Sequence, residues 1–148
     1  MTKIRGSITI RRPVEDVFDF VADQRNEPRY KPKMTRAVKV TDGPIGVGTQ
    51  FRSTVDSRGA PVQVTITCTG YDRPHRLASR STMTGAVIEG DVRLHPVPEG
   101  TVFSWDWDVA VSGAARFAGP LVGWIGRRQE RTIWTGLKDL LEGAERAP

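Results

Sequence analysis

The sequence has a single cysteine, Cys68, and only two histidines, His75 and His95. One thiol cannot close an internal disulfide. No two His, Cys or carboxylate residues stand at the spacing of a metal site, so neither a metal nor another cofactor is expected. His75 falls in the turn DRPH, and His95 precedes Pro96 at a strand end, where imidazoles are ordinarily solvated. Cys68 reads as a small buried hydrophobe. Long apolar runs are missing as well: none approaches the roughly 20 residues of a membrane helix. The first residues, MTKIRGSITI, lack the apolar stretch and cleavage site of a secretion signal. These features lead to the expectation of a cytoplasmic protein with no transmembrane segment. There is no G-x-S-x-G elbow. GPIGVGTQF contains G-x-G, but it lacks the third glycine and runs into a strand, which excludes a dinucleotide loop.

What is present suits one domain over residues 1–148. Of the 148 residues, 38% are hydrophobic, enough for a core without disulfides or metal. The net charge of +5 permits an acidic partner without requiring one. Ile4, Ile8 and Ile10 alternate in a first strand over 3–10. Pro13 then suits the first helical position, and Val14, Val17, Phe18 and Val21 recur at helical spacing, predicting a helix over 13–23. Pro28 and Pro32 leave room only for a short helical turn near 25–30.

From Met34 onward the period is two. TRAVKV, TQFRSTVD, VQVTITCTGY, RLASRST, AVIEGDVRL and TVFSWDWDVAV read as six further strands, separated by DGPIGVG, SRGAP, DRPH and HPVPEG among other turns. Short turns imply antiparallel neighbours. Residues 117–142 form a long helix with an apolar stripe of Leu121, Ile125, Ile133, Leu137, Leu140 and Leu141, expected to stop at Gly143. The class is α+β, with seven strands and one helix long enough to cover the apolar face.

On these segments the chain resembles the SRPBCC or START-like superfamily, close to its polyketide cyclase/dehydrase and lipid-transport group. The resemblance rests on SITIRRPVEDVFDFVAD, the Tyr30-Lys31-Pro32 step, GVGTQF, EGTVFSW and the amphipathic C-terminal helix, and it covers nearly the whole chain. It implies a helix-grip fold (START/Bet v 1-like): a curved seven-stranded antiparallel sheet wraps the long C-terminal helix, and two short helices follow strand 1. It also implies an internal cavity for a hydrophobic small molecule, a lipid, acyl or polycyclic polyketide-like compound. The role expected from it is binding or transfer; the alternative is a polyketide cyclase or dehydratase. Either a monomer or a homodimer is compatible with it.

Alternation and the helix stripe nominate lining residues for that cavity: Phe51, Ser53, Ile66, Cys68, Ser79, Ser81, Ile88, Phe103, Trp105 and Trp107 from strands, and Leu121, Trp124, Ile125 and Gln129 from the helix. Each apolar one reads equally as core. Gln129 interrupts the stripe, and it is expected to reach the same cavity as Trp105 and offer its amide to ligand or water. A larger side chain at Ser81 or Gly90 is expected to fill the space while the fold survives. Tyr30 either lines or gates the cavity or staples the helical turn to the sheet.

Asp106 and Asp108 share one strand face, and Glu89 and Asp91 share another. Trp105 and Trp107 compete for the interior and win on transfer energy, so these acids are expected in water beside Arg93. Without an interior histidine or buried acid, binding is favoured over catalysis. Residues 25–39 hold Arg25, Arg29, Lys31, Lys33, Arg36 and Lys39 against Glu27. This stretch is either a basic rim for an anionic ligand group or acidic partner, or a solvated face. RRQER at 127–131 lies mid-helix without a recognised nucleic-acid module, so nucleic-acid binding is not expected.

Overall fold

The computed structural model of the chain describes residues 2–57, 59–113 and 119–146, with side chains described for all of these except 119–125 and 144–146. β1 (Thr2–Ile10) leads into helix α1 (Val14–Ala22) and a 3-10 helix (Gln24–Arg29). Then come β2 (Met34–Lys39), β3 (Gln50–Ser57), β4 (Ala60–Asp72), β5 (Arg76–Met83), β6 (Ala86–Val97) and β7 (Gly100–Val111). The chain closes with helix α2 (Gly119–Arg146). The strands form one antiparallel sheet in the order β1-β7-β6-β5-β4-β3-β2. The seven strands and the long helix agree with the sequence-based expectation.

Register explains where the core lies. Ile4, Gly6 and Ile8 stand opposite Trp107, Trp105 and Phe103. On the other side of β7, Phe103, Trp105 and Trp107 stand opposite Leu94, Val92 and Gly90. Partners in an antiparallel pair share a face, so one concave face carries this whole set. Helix α2 packs across it and contacts β1. Gly126 permits that approach, because a Cβ there would lie 2.3 Å from Ile4 Cδ1. Ile133, Trp134, Leu137 and Leu141 of α2 are buried in the same cluster as Val17, Phe18 and Val21 of α1. Phe51, Val64 and Ile66 form a second cluster toward the β2 end of the sheet.

Several boundaries differ from expectation. Pro13 is the residue before α1, its carbonyl accepting from the Val17 N–H at 3.1 Å. HPVPEG is mostly strand: β6 continues to Val97, leaving Pro98 and Glu99 as the turn before Gly100. Pro96 is tolerated because β5 reaches along β6 only to Arg93, so its missing N–H falls beyond the β5–β6 ladder. Gly143 does not stop α2, which continues to Arg146. The helix is anchored just before that point, where Glu142 takes hydrogen bonds from Arg11 and Lys138.

On the outer face Asp106 and Asp108 pair with Lys3 and Arg5, as transfer energies require once the indoles turn inward. Asp91 departs from the expectation of an acid in water. It is buried, held by Arg76 at 2.7 Å and Arg93 at 3.3 Å.

Candidate functional site

Between the concave sheet and α2 lies a pocket of about 100 Å³. Its floor is the middle of the sheet. Ile66 stands opposite Ser81, Ser79 opposite Gly90, and Ser81 opposite Ile88. Small side chains at the centre of a curved sheet leave space beneath a crossing helix. Gly90 has a second role: its φ is +156°, and a Cβ there would lie 1.9 Å from the Asp106 carbonyl oxygen and 2.9 Å from Trp107 Cε3. The Trp107 ring therefore rests over Gly90. This corrects the expectation that Gly90→Leu would fill the pocket harmlessly, because the added atoms meet backbone.

The opposite wall is polar. The 3-10 helix places Gln24 and Glu27 inward, both buried. It ends as the Tyr30 and Lys31 N–H groups both donate to the Glu27 carbonyl, at 3.1 and 2.8 Å. This turns Tyr30 and Lys31 into the pocket. The Lys31 ammonium pairs with the Glu27 carboxylate and lies 5.8 Å from the Trp134 ring centroid. Tyr30 is buried, with its ring 5.9 Å from Trp134 and 6.0 Å from Phe20. Gly136 brings α2 close behind it; a Cβ there would lie 3.2 Å from the Tyr30 carbonyl oxygen. Tyr30 thus borders the pocket and also fastens the turn to α2.

The third wall centres on Glu130 of α2. Its Oε2 accepts from Trp134 Nε1 at 2.7 Å and from Trp107 Nε1 at 3.2 Å. Burial raises the Glu130 pKa, and the nearby Lys31 and the two indole N–H groups only partly oppose this. Burial pushes the Tyr30 phenol well above its ordinary range, helped by the charges of Glu27 and Glu130. For Lys31, burial works against the ammonium, but the carboxylates of Glu27 and Glu130 more than offset it and raise its pKa.

Of the residues nominated from sequence, Tyr30, Ile66, Ser79, Ser81, Ile88 and Trp107 meet at this pocket. Cys68, Phe103 and Trp105 are packed in the main core, and Phe51 and Ser53 are buried farther along the sheet. Cys68 behaves as an inert hydrophobe: burial raises its thiol pKa. The side chains of Leu121, Trp124 and Ile125 lie outside the described residues. Gln129 is a correction. It is exposed, and Glu130 is the polar residue of α2 that turns inward. Glu130, Trp134, Leu137 and Leu141 stand four, three and four residues apart, the spacing of one buried stripe. The stripe read from sequence omitted Trp134 and so missed this phase.

The basic stretch is largely engaged within the chain. Arg25 pairs with Asp23, Lys31 with Glu27, and Lys39 donates to the Thr41 and Gly43 carbonyls. Arg29 lies over the Phe20 ring at 5.2 Å. No group of three potential metal ligands occurs among the described residues. No helix among the described residues is long and apolar enough to cross a membrane.

A curved antiparallel sheet gripping one long C-terminal helix, with a pocket between them, is the helix-grip architecture of START-like proteins. The chain belongs to the family described as polyketide cyclase / dehydrase and lipid transport, whose model matches residues 1–142. A START superfamily protein from Mycobacterium smegmatis superposes with a TM-score of 0.81 at 16% identity, covering 97% of this chain and 99% of that one. The Zhui aromatase/cyclase from Streptomyces sp. R1128 gives 0.77 at 17% identity, covering 98% and 96%. A protein from Thermus thermophilus gives 0.78 at 18% identity, covering 96% and 98%. At such identities the likeness establishes the fold. No curated protein matches the sequence at a significant level.

Proposed function

We propose that this protein binds a hydrophobic small molecule, an acyl or ring-bearing compound, in the pocket between the sheet and α2, as a binding or transfer protein. The observation that carries the reading is the pocket wall itself. Ile66, Leu77, Ile88 and Val92 meet the aromatic rings of Trp107 and Trp134, and a few polar groups converge among them. Apolar lining with sparse polar anchors is the composition of small-molecule sites. The family description supports the same class of ligand.

Size bears on how a ligand would sit. The pocket encloses about 100 Å³, whereas drug-sized ligands occupy sites of about 300–1,000 Å³. A chain or ring system therefore enters by moving a wall. Native mass spectrometry of protein purified without detergent tests the reading. The expected result is a stoichiometric non-polar adduct, reduced by Ser81→Phe. Failure of any hydrophobic compound to bind at micromolar concentration contradicts it.

Glu130 supports a second reading, a cyclase or dehydratase acting on a polyketide-like chain. Its raised pKa, the fixed indole donors and the neighbouring Tyr30 resemble what general acid–base chemistry requires. On that reading, Glu130→Gln lowers turnover by about 10²–10⁴ while binding persists. Unchanged turnover removes Glu130 from any such role.

A further inference from the structure

We infer that the ligand of this pocket carries a primary amine, seated as an ammonium against Glu130 beside the Trp107 and Trp134 rings, with the Lys31–Glu27 pair left in place. The inference rests on the reading that the pocket holds a hydrophobic ligand, and it specifies the polar end of that ligand.

The first ground is the charge inventory. The groups bordering the pocket among the described residues include two carboxyls, Glu27 and Glu130, and one ammonium, Lys31. The strands of the floor contribute serines and apolar residues, not charges. Lys31 is already paired with Glu27. Glu130 has no ion pair among the described residues; its hydrogen-bond donors are the neutral indoles of Trp107 and Trp134. A half-buried carboxyl flanked by indole rings is stabilised by a cation more than by neutral donors. A ligand carboxylate would instead face two carboxyls, with the one ammonium among the described lining residues already occupied.

The second ground is the surroundings of the charge. Tyr30, Trp107 and Trp134 border the space, and Lys31 Nζ lies 5.8 Å from the Trp134 ring centroid. Aromatic rings around carboxyls attract cations through their quadrupoles. The chain itself shows that an ammonium is accommodated here.

The third ground is an unmet acceptor. Gln24 borders the same pocket, is 7% exposed, and buries its side-chain oxygen without a hydrogen-bond partner. An acceptor in that state needs an N–H or O–H donor. A primary ammonium brings three donors, enough for both Gln24 and Glu130 while Lys31 keeps Glu27.

The test uses three probes with one tail: dodecylamine, dodecanol and dodecanoate, each kept below its solubility limit or micellar concentration at neutral pH, titrated against the full chain by calorimetry. The expected order is dodecylamine tighter than dodecanol by at least about tenfold, with dodecanoate weakest. In Glu130→Gln, which keeps an oxygen for the indoles, dodecanol affinity persists and the amine preference falls to less than about threefold. Circular dichroism confirms that the variant is folded; the wild-type series needs no variant. Equal affinity for amine and alcohol overturns the inference and leaves the hydrophobic-ligand reading intact. Tightest binding of dodecanoate overturns it in favour of an anion site on Lys31. Binding of none of the three overturns both readings.

Discussion

Trp134 donates its indole N–H to Glu130 Oε2 at 2.7 Å, one turn back along α2. The same oxygen receives the Trp107 indole from β7 at 3.2 Å. One carboxyl thereby joins helix to sheet at the pocket edge, in surroundings that favour its neutral form.

That placement sets a pH dependence. Burial raises the Glu130 pKa above its unfolded value, so the folded state holds a proton more tightly than the unfolded one. The associated stability is fully present below the unfolded pKa and is lost as pH rises through the folded pKa. Glu130→Gln removes the titration while keeping an acceptor for the indoles. Its melting temperature should exceed that of the wild type at neutral pH, and the gap should close below about pH 4. Thermal melts at several pH values check this; a variant less stable at neutral pH contradicts it.

Gly6 is fixed by an indole. A Cβ at this position would lie 2.3 Å from Trp105 Cζ2 and 2.7 Å from Cε2, both atoms of a ring packed in the main core. Trp105 is 3% exposed and has little room to withdraw. Gly6→Ala should therefore destabilise by about 1–3 kcal/mol through overpacking. Urea unfolding measures it, and a stability equal to wild type would show that the ring shifts freely.

Glu142 works in the opposite sense to Glu130. Its burial alone would raise its pKa, but Lys138 and both the backbone and side chain of Arg11 donate to it and hold it at about 2. A depressed carboxyl contributes stability above its unfolded pKa, and that contribution is lost as pH falls through the folded value. Glu142→Gln should cost on the order of 2 kcal/mol near neutrality. The difference in urea midpoint from wild type should shrink as pH is lowered from about 5 toward about 2. A pH-independent difference would place the loss in packing and not in charge.

Alternation in TVFSWDWDVAV placed Phe103, Trp105 and Trp107 inward and Asp106 and Asp108 outward, and the structure agrees. Strand period and burial energy point the same way there, so the face was readable. The polar wall was not. Glu27, Lys31 and Glu130 are charged, and charged residues in a helical segment are ordinarily solvent-facing. Their enclosure depends on the turn at Tyr30 meeting α2, a contact between residues about a hundred positions apart. Glu130 did leave one signal: counted with Trp134, Leu137 and Leu141, it occupies the buried stripe. Gln129, one residue earlier, is turned away by the helical step of about 100°.

If a hydrophobic molecule occupies the space beneath α2, filling that space at Ser81 must expel it. Ser81 lies on the pocket floor, opposite Ile66 and Ile88 on the neighbouring strands. Calorimetric titration of wild type and Ser81→Phe with dodecanol, with folding checked by circular dichroism, gives the answer. The wild type should show saturable one-to-one binding and the variant at least about tenfold weaker binding, the loss expected when an aromatic ring takes space the tail would bury. Undiminished binding to a folded Ser81→Phe would contradict occupancy of that space.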